Sequence, residues 1–263
     1  MSKMQIRVIQ WNISVKSQIS KVIEFIGKNI TDKCLVNLQE VTEDSFKQLE
    51  KSLTDNAAFS LDYRIPGVYE GRNRKMGVAT LLFGGSIERA SLLDRSVFPE
   101  RTLITEVKMG ERIVRNFAFH SLTGVDYKKA KSSNFASIAT FLASNGDIDF
   151  FSCDANEPKK DSIHDGQLEF YDNRDKGRNA SLLFGKDKVH GLTDSYKECS
   201  KRTVRNLSDG FTYITGKVRR RYDHVYHNPK WKVVFAESLY QESTEASSDH
   251  AMVICDYSMK NER

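Results

Sequence analysis

The segment IRVIQWNI, residues 6–13, places a β-branched apolar run directly before a polar residue, Asn12. Short apolar runs of this kind predict buried strands. The pattern recurs, and strands are predicted at 6–11, 35–38, 78–83, 103–107, 113–119, 148–153, 222–226, 232–236 and 252–255. Apolar residues at helical spacing predict helices over 19–26, 46–53 and 135–142. Because strands outnumber helices, two packed sheets with helices outside are favoured over a single parallel sheet.

The polar residues beside the predicted strands are of only three chemical types. They are amides, carboxylates and imidazoles: Asn12, Glu40, His120, Asp154, Asn156, Asp223, Asp249 and His250. One such residue at one strand end is more simply explained as the start of a loop. Because strand ends converge in packed sheets, the recurrence favours a common cleft whose side chains are held by rigid elements.

Composition excludes two large classes of protein. With 263 residues, 39% of them hydrophobic, and a formal net charge of +5, the chain has enough apolar material for a core and is not a disordered polymer. No stretch approaches the roughly 18 apolar residues of a membrane span, so no membrane association is expected. The length and the lack of a Pro/Gly-rich linker predict a single domain over residues 1–263. Scattered cysteines without a C-x-x-C pair indicate a reducing compartment, and we expect a cytoplasmic protein.

The same polar set has the composition of a hard-cation site. Carboxylate and amide oxygens suit Mg²⁺, with Mn²⁺ as a substitute, and Mg²⁺ usually takes only one or two carboxylates. Zinc is the rival metal, since the chain has 6 histidines. The histidines lack the close spacing of zinc ligands, except for His224 and His227 on a predicted strand. The sequence therefore favours magnesium over zinc.

The order of these motifs resembles the endonuclease/exonuclease/phosphatase superfamily, whose members include the deoxyribonuclease-like enzymes. The resemblance extends from Arg7 to about Asp256 and rests on Trp11-Asn12-Ile13, Leu38-Gln39-Glu40-Val41, His120, Asp154-x-Asn156, Arg221-Tyr222-Asp223 and Ser248-Asp249-His250. It implies a four-layered α/β sandwich, in which two packed mixed β-sheets are flanked by helices. It also implies metal-dependent hydrolysis of a phosphoester.

The resemblance also implies roles for individual residues. Glu40 would be the principal metal ligand, supported by Asn12 and Asp249 directly or through water. Asp154 would orient or deprotonate the attacking water. Asn156 would hold that water or a phosphoryl oxygen. His250 would donate to the phosphate, and Asp223 would fix the His250 tautomer. His120 and Thr123 would contact other phosphate oxygens. Many nuclease members have an acidic residue two positions after the Asn, where this chain has Ser14, which leaves one-metal or two-metal chemistry open.

Three classes of function fit this site. The first is a nuclease acting on DNA or RNA, favoured by the net charge and by basic segments at 72–75, 128–131 and 219–221. The second is a phosphatase or phosphodiesterase acting on a small or lipid-linked phosphoester such as an inositol phosphate. The third is a binding module that has kept the fold without catalysis, which the full set of polar residues disfavours. A nuclease of this size could also depend on a protein partner for targeting.

Overall fold

Two mixed six-stranded sheets carry the fold of the computed structural model, which describes residues 4–64, 75–125, 127–202 and 210–260. Residues 72–74 of the first basic segment lie outside this range. The strands are β1 (Gln5–Asn12), β2 (Cys34–Val41), β3 (Ala57–Phe59), β4 (Gly77–Phe83), β5 (Ser86–Ser91), β6 (Thr102–Met109), β7 (Arg112–His120), β8 (Phe150–Asp154), β9 (Thr193–Asp194), β10 (Tyr213–Thr215), β11 (Val218–Arg220), β12 (Asp223–His227), β13 (Trp231–Leu239) and β14 (Met252–Met259). The α-helices are α1 (Ile19–Asn29), α2 (Glu43–Ser52), α3 (Lys128–Ser144), α4 (Ser162–Asp165), α5 (Arg178–Phe184), α6 (Ser195–Arg202) and α7 (Tyr240–Glu245).

Each sheet is built around one parallel strand pair. The first sheet has the order β13-β14-β1-β2-β4-β3 and the second β5-β6-β7-β8-β12-β9, while β10 and β11 form a separate hairpin. The pairs β1–β2 and β7–β8 are parallel, and the other pairings within the two sheets are antiparallel. The connections α1 and α3 join the parallel pairs, as parallel pairing requires a crossover.

The apolar residues fall into clusters that define four layers. One cluster lies between the sheets and includes Val8, Leu35, Val107 and Phe150. A second joins the outer face of the first sheet to α1 and α2, and a third joins the outer face of the second sheet to α3 and α5. The predicted α/β sandwich of two packed mixed sheets with helices outside is therefore confirmed.

The space between the sheets changes from apolar to polar along the strands. Near the start of β1 it is filled by Ile6 and Val8, whereas farther along Gln10 donates and accepts hydrogen bonds with Gln39. Beside Gln10 on the neighbouring strand, the Asn37 amide donates to Asn116 Oδ1 at 3.0 Å and to Ser152 Oγ at 2.8 Å across the two sheets. Because side chains alternate between faces with a period of two, Asn12 lies on the same inner face as Gln10.

A buried ion-pair group holds the loops beside the second sheet. Arg221 donates to Asp161 Oδ2 at 2.8 Å and to Asp194 Oδ2 at 2.6 Å. We expect Arg221→Met to lower the free energy of unfolding by about 3–5 kcal/mol, because the buried Asp194 then loses its ion-pair partner and Asp161 keeps only Lys197. Urea unfolding measures this loss. Arg7→Met, which removes a similar bidentate pair with the partly exposed Asp256, should cost about 1 kcal/mol; equal losses would contradict the prediction.

The buried His190 makes the stability of the fold depend on pH. Its Nε2–H donates to Leu183 O, and its Nδ1 accepts from Leu192 N–H, so the ring is neutral. Burial lowers the pKa of His190 to about 4, below the roughly 6.5 of the unfolded chain. The unfolded state therefore binds the proton first, and stability is lost as pH falls from about 6.5 towards 4. Between pH 7 and pH 5, the free energy of unfolding of His190→Gln should fall by roughly 2 kcal/mol less than that of wild type. Chemical unfolding at both pH values measures this, and an equal fall in the two proteins would contradict it.

The four cysteines are free and buried. Among the described residues, no helix is long and apolar enough to cross a membrane.

Candidate active site

Strand register brings three of the predicted residues into one row. In the second sheet, His120 at the end of β7 pairs with Asp154 at the end of β8. Asp223 at the start of β12 pairs with Asp154 from the other side. His120 Nε2 lies 3.5 Å from Asp154 Oδ2, and all three side chains are buried.

The first sheet contributes Asn12 and Glu40 from the facing strand ends. The Asn12 amide donates to Asp154 Oδ2 at 2.9 Å and lies 3.3 Å from Glu40 Oε1. Asn12 Oδ1 accepts from Ser14 N–H at 2.9 Å. Asn12 therefore joins carboxylates from both sheets, and the predicted convergence of strand ends holds for this group.

The backbone at Glu40 has an unusual conformation, which sets the direction of its side chain. Glu40 has φ +58° and lies where the pairing of β2 with β4 shifts between Leu38 and Val41. A non-glycine residue in this conformation is uncommon, and bulges often redirect a side chain beside an active site. Glu40 Oε2 accepts from Val15 N–H at 2.9 Å, and the side chain retains 24% exposure, so solvent or an ion can reach this carboxylate.

His250 and Asp223 form a buried imidazole–carboxylate pair. His250 Nδ1 donates to Asp223 Oδ2 at 2.8 Å, which leaves Nε2 3.8 Å from Asp154 Oδ2. Burial opposes the charged form, but Asp223 and Asp154 outweigh it and raise the pKa of His250 to about 10. Burial raises the pKa of Asp154 to about 6. At neutral pH, the site therefore contains an imidazolium beside a carboxylate of near-neutral pKa.

His120, unlike His250, is neutral. Arg101 Nη1 donates to His120 Nδ1 at 2.6 Å, which places the ring proton on Nε2. Burial and the Arg101 charge lower the pKa of His120 well below its usual value. His120 is thus a neutral donor that points towards Asp154. The motif Pro99-Glu100-Arg101 precedes a predicted strand in the sequence, but nothing in it indicates this contact.

A second buried ion pair supports Asn156. Lys131 Nζ donates to Asn156 O at 2.8 Å and to Glu157 Oε1 at 3.0 Å. Asn156 has φ +49°, and its N–H donates to Asp154 Oδ1 at 3.0 Å. Glu157 also accepts from Asn173 Nδ2 at 2.6 Å. Sequence reasoning missed Lys131 and Glu157, because a lysine in a helix is ordinarily exposed.

Two predicted residues lie outside this buried group. The side chains of Asp249 and Thr123 are exposed. Thr123 lines a cavity that also reaches Asn156. The role predicted for each of these two residues stays a prediction.

The last predicted basic segment is not a continuous surface patch. Arg221 is buried among carboxylates, and Arg220 donates to Lys159 O. Arg219 lies over the Phe211 ring at 4.6 Å. In segment 128–131, Lys131 is buried in its pair with Glu157. Arg221 and Lys131 therefore do not contribute to a basic surface that a polyanion could contact.

Glu40 is the side chain best suited to hold a divalent cation. Asp154, Asp223 and His250 form the compact group of possible ligands among the described residues, with atoms within 4.8 Å of one another. In that group, however, His250 is charged and occupied by Asp223, so a cation there would face an imidazolium. Glu40 instead offers a partly exposed carboxylate, a ligand type that Mg²⁺ accepts.

Structural comparison identifies the fold. No protein-family model and no curated protein sequence matches the chain. Structural similarity extends over almost its whole length. D. rerio TDP2 in complex with a single strand DNA product is 13% identical, with a TM-score of 0.66 over 96% of this chain and 98% of its own. An endonuclease/exonuclease/phosphatase family protein from Bacteroides thetaiotaomicron is 13% identical, with a TM-score of 0.62 over 99% of this chain and 100% of its own.

A third solved structure, of ANGEL2, described as a 2′,3′-cyclic phosphatase in complex with adenosine-2′,3′-vanadate, is 14% identical. Its TM-score is 0.63 over 98% of this chain and 97% of its own. The chain therefore has the endonuclease/exonuclease/phosphatase fold, and the resemblance found in the sequence is confirmed at the level of the fold. Function does not follow from identities this low.

Proposed function

We propose that this chain is a metal-dependent phosphodiesterase that hydrolyses phosphodiester bonds of nucleic acid by attack of water. One observation carries the proposal: the imidazolium of His250, held by Asp223, faces the buried Asp154 carboxylate across a gap of 3.8 Å. Phosphoryl transfer depends mainly on positioning and on neutralising negative charge. This pair supplies a cationic donor and a proton acceptor side by side in the cleft.

Each side chain has a defined task in the proposed reaction. Asp154, whose pKa of about 6 suits a general base near neutral pH, accepts a proton from the attacking water. Asn156 N–H fixes the other Asp154 oxygen. Nε2–H groups of His250 and His120 donate to phosphate oxygens as negative charge accumulates. A divalent cation held by Glu40 and Asn12, with Asp249 through water, would neutralise charge on the phosphate or the leaving oxygen.

Nucleic acid is the favoured substrate class. A D. rerio relative of the same fold is complexed with single strand DNA, and ANGEL2 with an adenosine derivative. The chain has a net charge of +5 although several carboxylates lie in the cleft, so basic residues are in excess elsewhere. A polyanion would be attracted to such a surface.

A phosphatase or phosphodiesterase acting on a small phosphoester is the second candidate. The same catalytic group would serve either substrate, and exposed lysines beside the cleft, such as Lys128 and Lys176, suit any multiply charged phosphate. A non-catalytic binding module is disfavoured, because every buried polar group that the reaction needs is present.

One panel of substrates tests the proposal. Plasmid, single-stranded DNA, RNA and inositol phosphates are incubated with the protein and Mg²⁺, Mn²⁺ or EDTA, with Asp154→Ala as control. We expect hydrolysis of a nucleic acid that requires the metal and Asp154. Hydrolysis that persists in EDTA would overturn the metal-dependent mechanism. Exclusive activity on inositol phosphates would establish the second candidate instead.

Salt should weaken hydrolysis of a nucleic-acid substrate. Each phosphate contact by a cationic side chain releases counterions, so affinity falls steeply with salt. Between about 50 and 200 mM salt, we expect kcat/KM to fall by roughly tenfold or more, mainly through KM. A small phosphodiester with a single negative charge, such as bis(p-nitrophenyl) phosphate, serves as control, since its KM should change little. Equal salt dependence for both substrates would argue against a polyanionic substrate.

A further inference from the structure

Strand β13 forms one edge of the first sheet. Among the described strands, only β14 pairs with it. The backbone of residues 232–237 has no hydrogen bond to any other element of the described ranges. An edge strand presents a row of unpaired N–H and C=O groups to which another strand can pair. Strand β13 also exposes two apolar side chains, Val234 at 52% and Phe235 at 36%.

A β-bulge makes β13 symmetric about its centre. The pairing with β14 shifts between Val233 and Phe235, so Val234 is the extra residue. Val233 and Ala236 are buried in the cluster between the sheets, whereas the two residues between them are exposed. The inward and outward side chains are therefore arranged in the same order on both sides of the Val234–Phe235 bond.

The bulge gives the free backbone edge the same symmetry. Lys230 O accepts from Lys260 N–H, so residue 230 bonds towards β14. Antiparallel hydrogen bonds alternate along a strand, which turns the backbone groups of Val233 away from β14. Past the extra residue, Phe235 lies opposite β14 and Ala236 is turned away. Two copies related by a two-fold axis at the bulge would therefore exchange hydrogen bonds between Val233 of one and Ala236 of the other.

The same register is complementary in charge. It places Lys232 opposite Glu237 of the second copy, and Val234 opposite Phe235. Neither Lys232 nor Glu237 forms an ion pair with another described residue. Burial and the neighbouring Glu242 raise the pKa of Glu237, so this carboxylate lacks a cation. In a two-fold pairing, opposite charges would meet at both ends of an apolar centre.

We propose that β13 is the interface of a two-fold symmetric homodimer, in which the β13 strands of two copies pair antiparallel and join their first sheets into one. The proposal is independent of the proposed function. A lysine on an edge strand discourages pairing with unrelated strands, whereas in this register each Lys232 meets a glutamate. Because such a contact uses the same surface of both copies, assembly closes at the dimer.

Charge exchange tests the interface by sedimentation velocity of the full chain. We expect wild type to change from monomer to dimer between about 1 and 100 μM. Lys232→Glu alone places two carboxylates opposite each other at both ends, and Glu237→Lys alone does the same with two ammonium groups. Each variant should dimerise at least about tenfold more weakly than wild type. An equimolar mixture of the two should associate about as tightly as wild type, because opposite charges again meet at both ends.

A second pair of variants tests the apolar centre. Val234→Lys should weaken the dimer at least about tenfold, because it brings an ammonium group into each half of the contact. Val189→Lys is the matched control: its valine is 42% exposed but lies outside β13, and it should dimerise as wild type does. The melting temperature shows whether each variant is folded. A wild-type chain that stays monomeric over this range, or a charge-variant mixture that associates no better than its components, would overturn the proposal.

Discussion

Asp154→Asn is expected to lower kcat by about 10²–10⁴-fold, the range associated with losing a general base. The asparagine keeps nearly the same volume and an oxygen that can accept from Asn156 N–H. It removes the proton acceptor and one of the three carboxylates that raise the pKa of His250. Steady-state kinetics on the nucleic acid identified by the substrate panel measures the effect.

Stability separates a catalytic role for Asp154 from a structural one. Burial raises the pKa of Asp154, so the folded state holds this carboxylate at a cost when it is ionised. At pH 7 this relief is opposed by the loss of the acceptor of the Asn12 amide, so the free energy of unfolding of Asp154→Asn should stay within about 2 kcal/mol of that of wild type. Asp256→Asn removes a surface carboxylate paired with Arg7 and should leave kcat unchanged. A folded Asp154→Asn protein with normal kcat would remove Asp154 from the mechanism.

The nine strands predicted from the sequence all match strands among the fourteen of the structure, because their signals are local, whereas β3, β5, β9, β10 and β11 are not among them. A β-branched run ending in Asn or Asp specifies both the strand and the residue at its end. The segment 6–13 shows this: β1 spans Gln5–Asn12, and Asn12 contacts carboxylates of both sheets. The predicted helices over 19–26, 46–53 and 135–142 lie within or nearly within α1, α2 and α3 for the same reason.

Contacts made between distant segments could not be predicted. Arg101 sets the tautomer of His120, but this depends on how the segment before β6 packs against the end of β7. Lys131 occupies an ordinary helical position in the sequence, and only the fold places it against Glu157 and Asn156. The basic segment 219–221 shows the converse, because a run of like charges reveals nothing about which side chain is turned inward to meet Asp161 and Asp194.

The hydrogen-bonded polar side chains between the sheets also come from segments that are distant in the sequence. Asn37 and Asn116 lie 79 positions apart in the sequence, and their amides meet only when the sheets pack. Buried polar groups must be hydrogen-bonded to be tolerated. The register of the two sheets is therefore constrained near the site, and that constraint helps hold Asn12 opposite Asp154.

Glu40→Gln is expected to abolish most of the metal-dependent activity, because the variant no longer holds the cation. The glutamine retains an oxygen for the Val15 N–H contact but offers no negative charge to Mg²⁺. We expect metal affinity to fall by more than about 100-fold, because residues that only support ligands already cost 10- to 100-fold. Activity at limiting Mg²⁺ should fall in parallel. Calorimetric titration with Mg²⁺ measures the affinity without any reaction.

Two further variants test whether the cation binds at Glu40 or among Asp154, Asp223 and His250. Glu43→Gln, in the exposed first turn of α2, is the matched control and should bind Mg²⁺ as wild type does. Asp223→Asn removes the carboxylate that orients His250; it should lower kcat while leaving Mg²⁺ affinity within about threefold, as expected of a group that does not touch the ion. Normal Mg²⁺ binding by Glu40→Gln together with its loss in Asp223→Asn would place the cation among Asp154, Asp223 and His250. In that case His250 could not remain a charged donor, since Mg²⁺ and an imidazolium would compete for the same carboxylates.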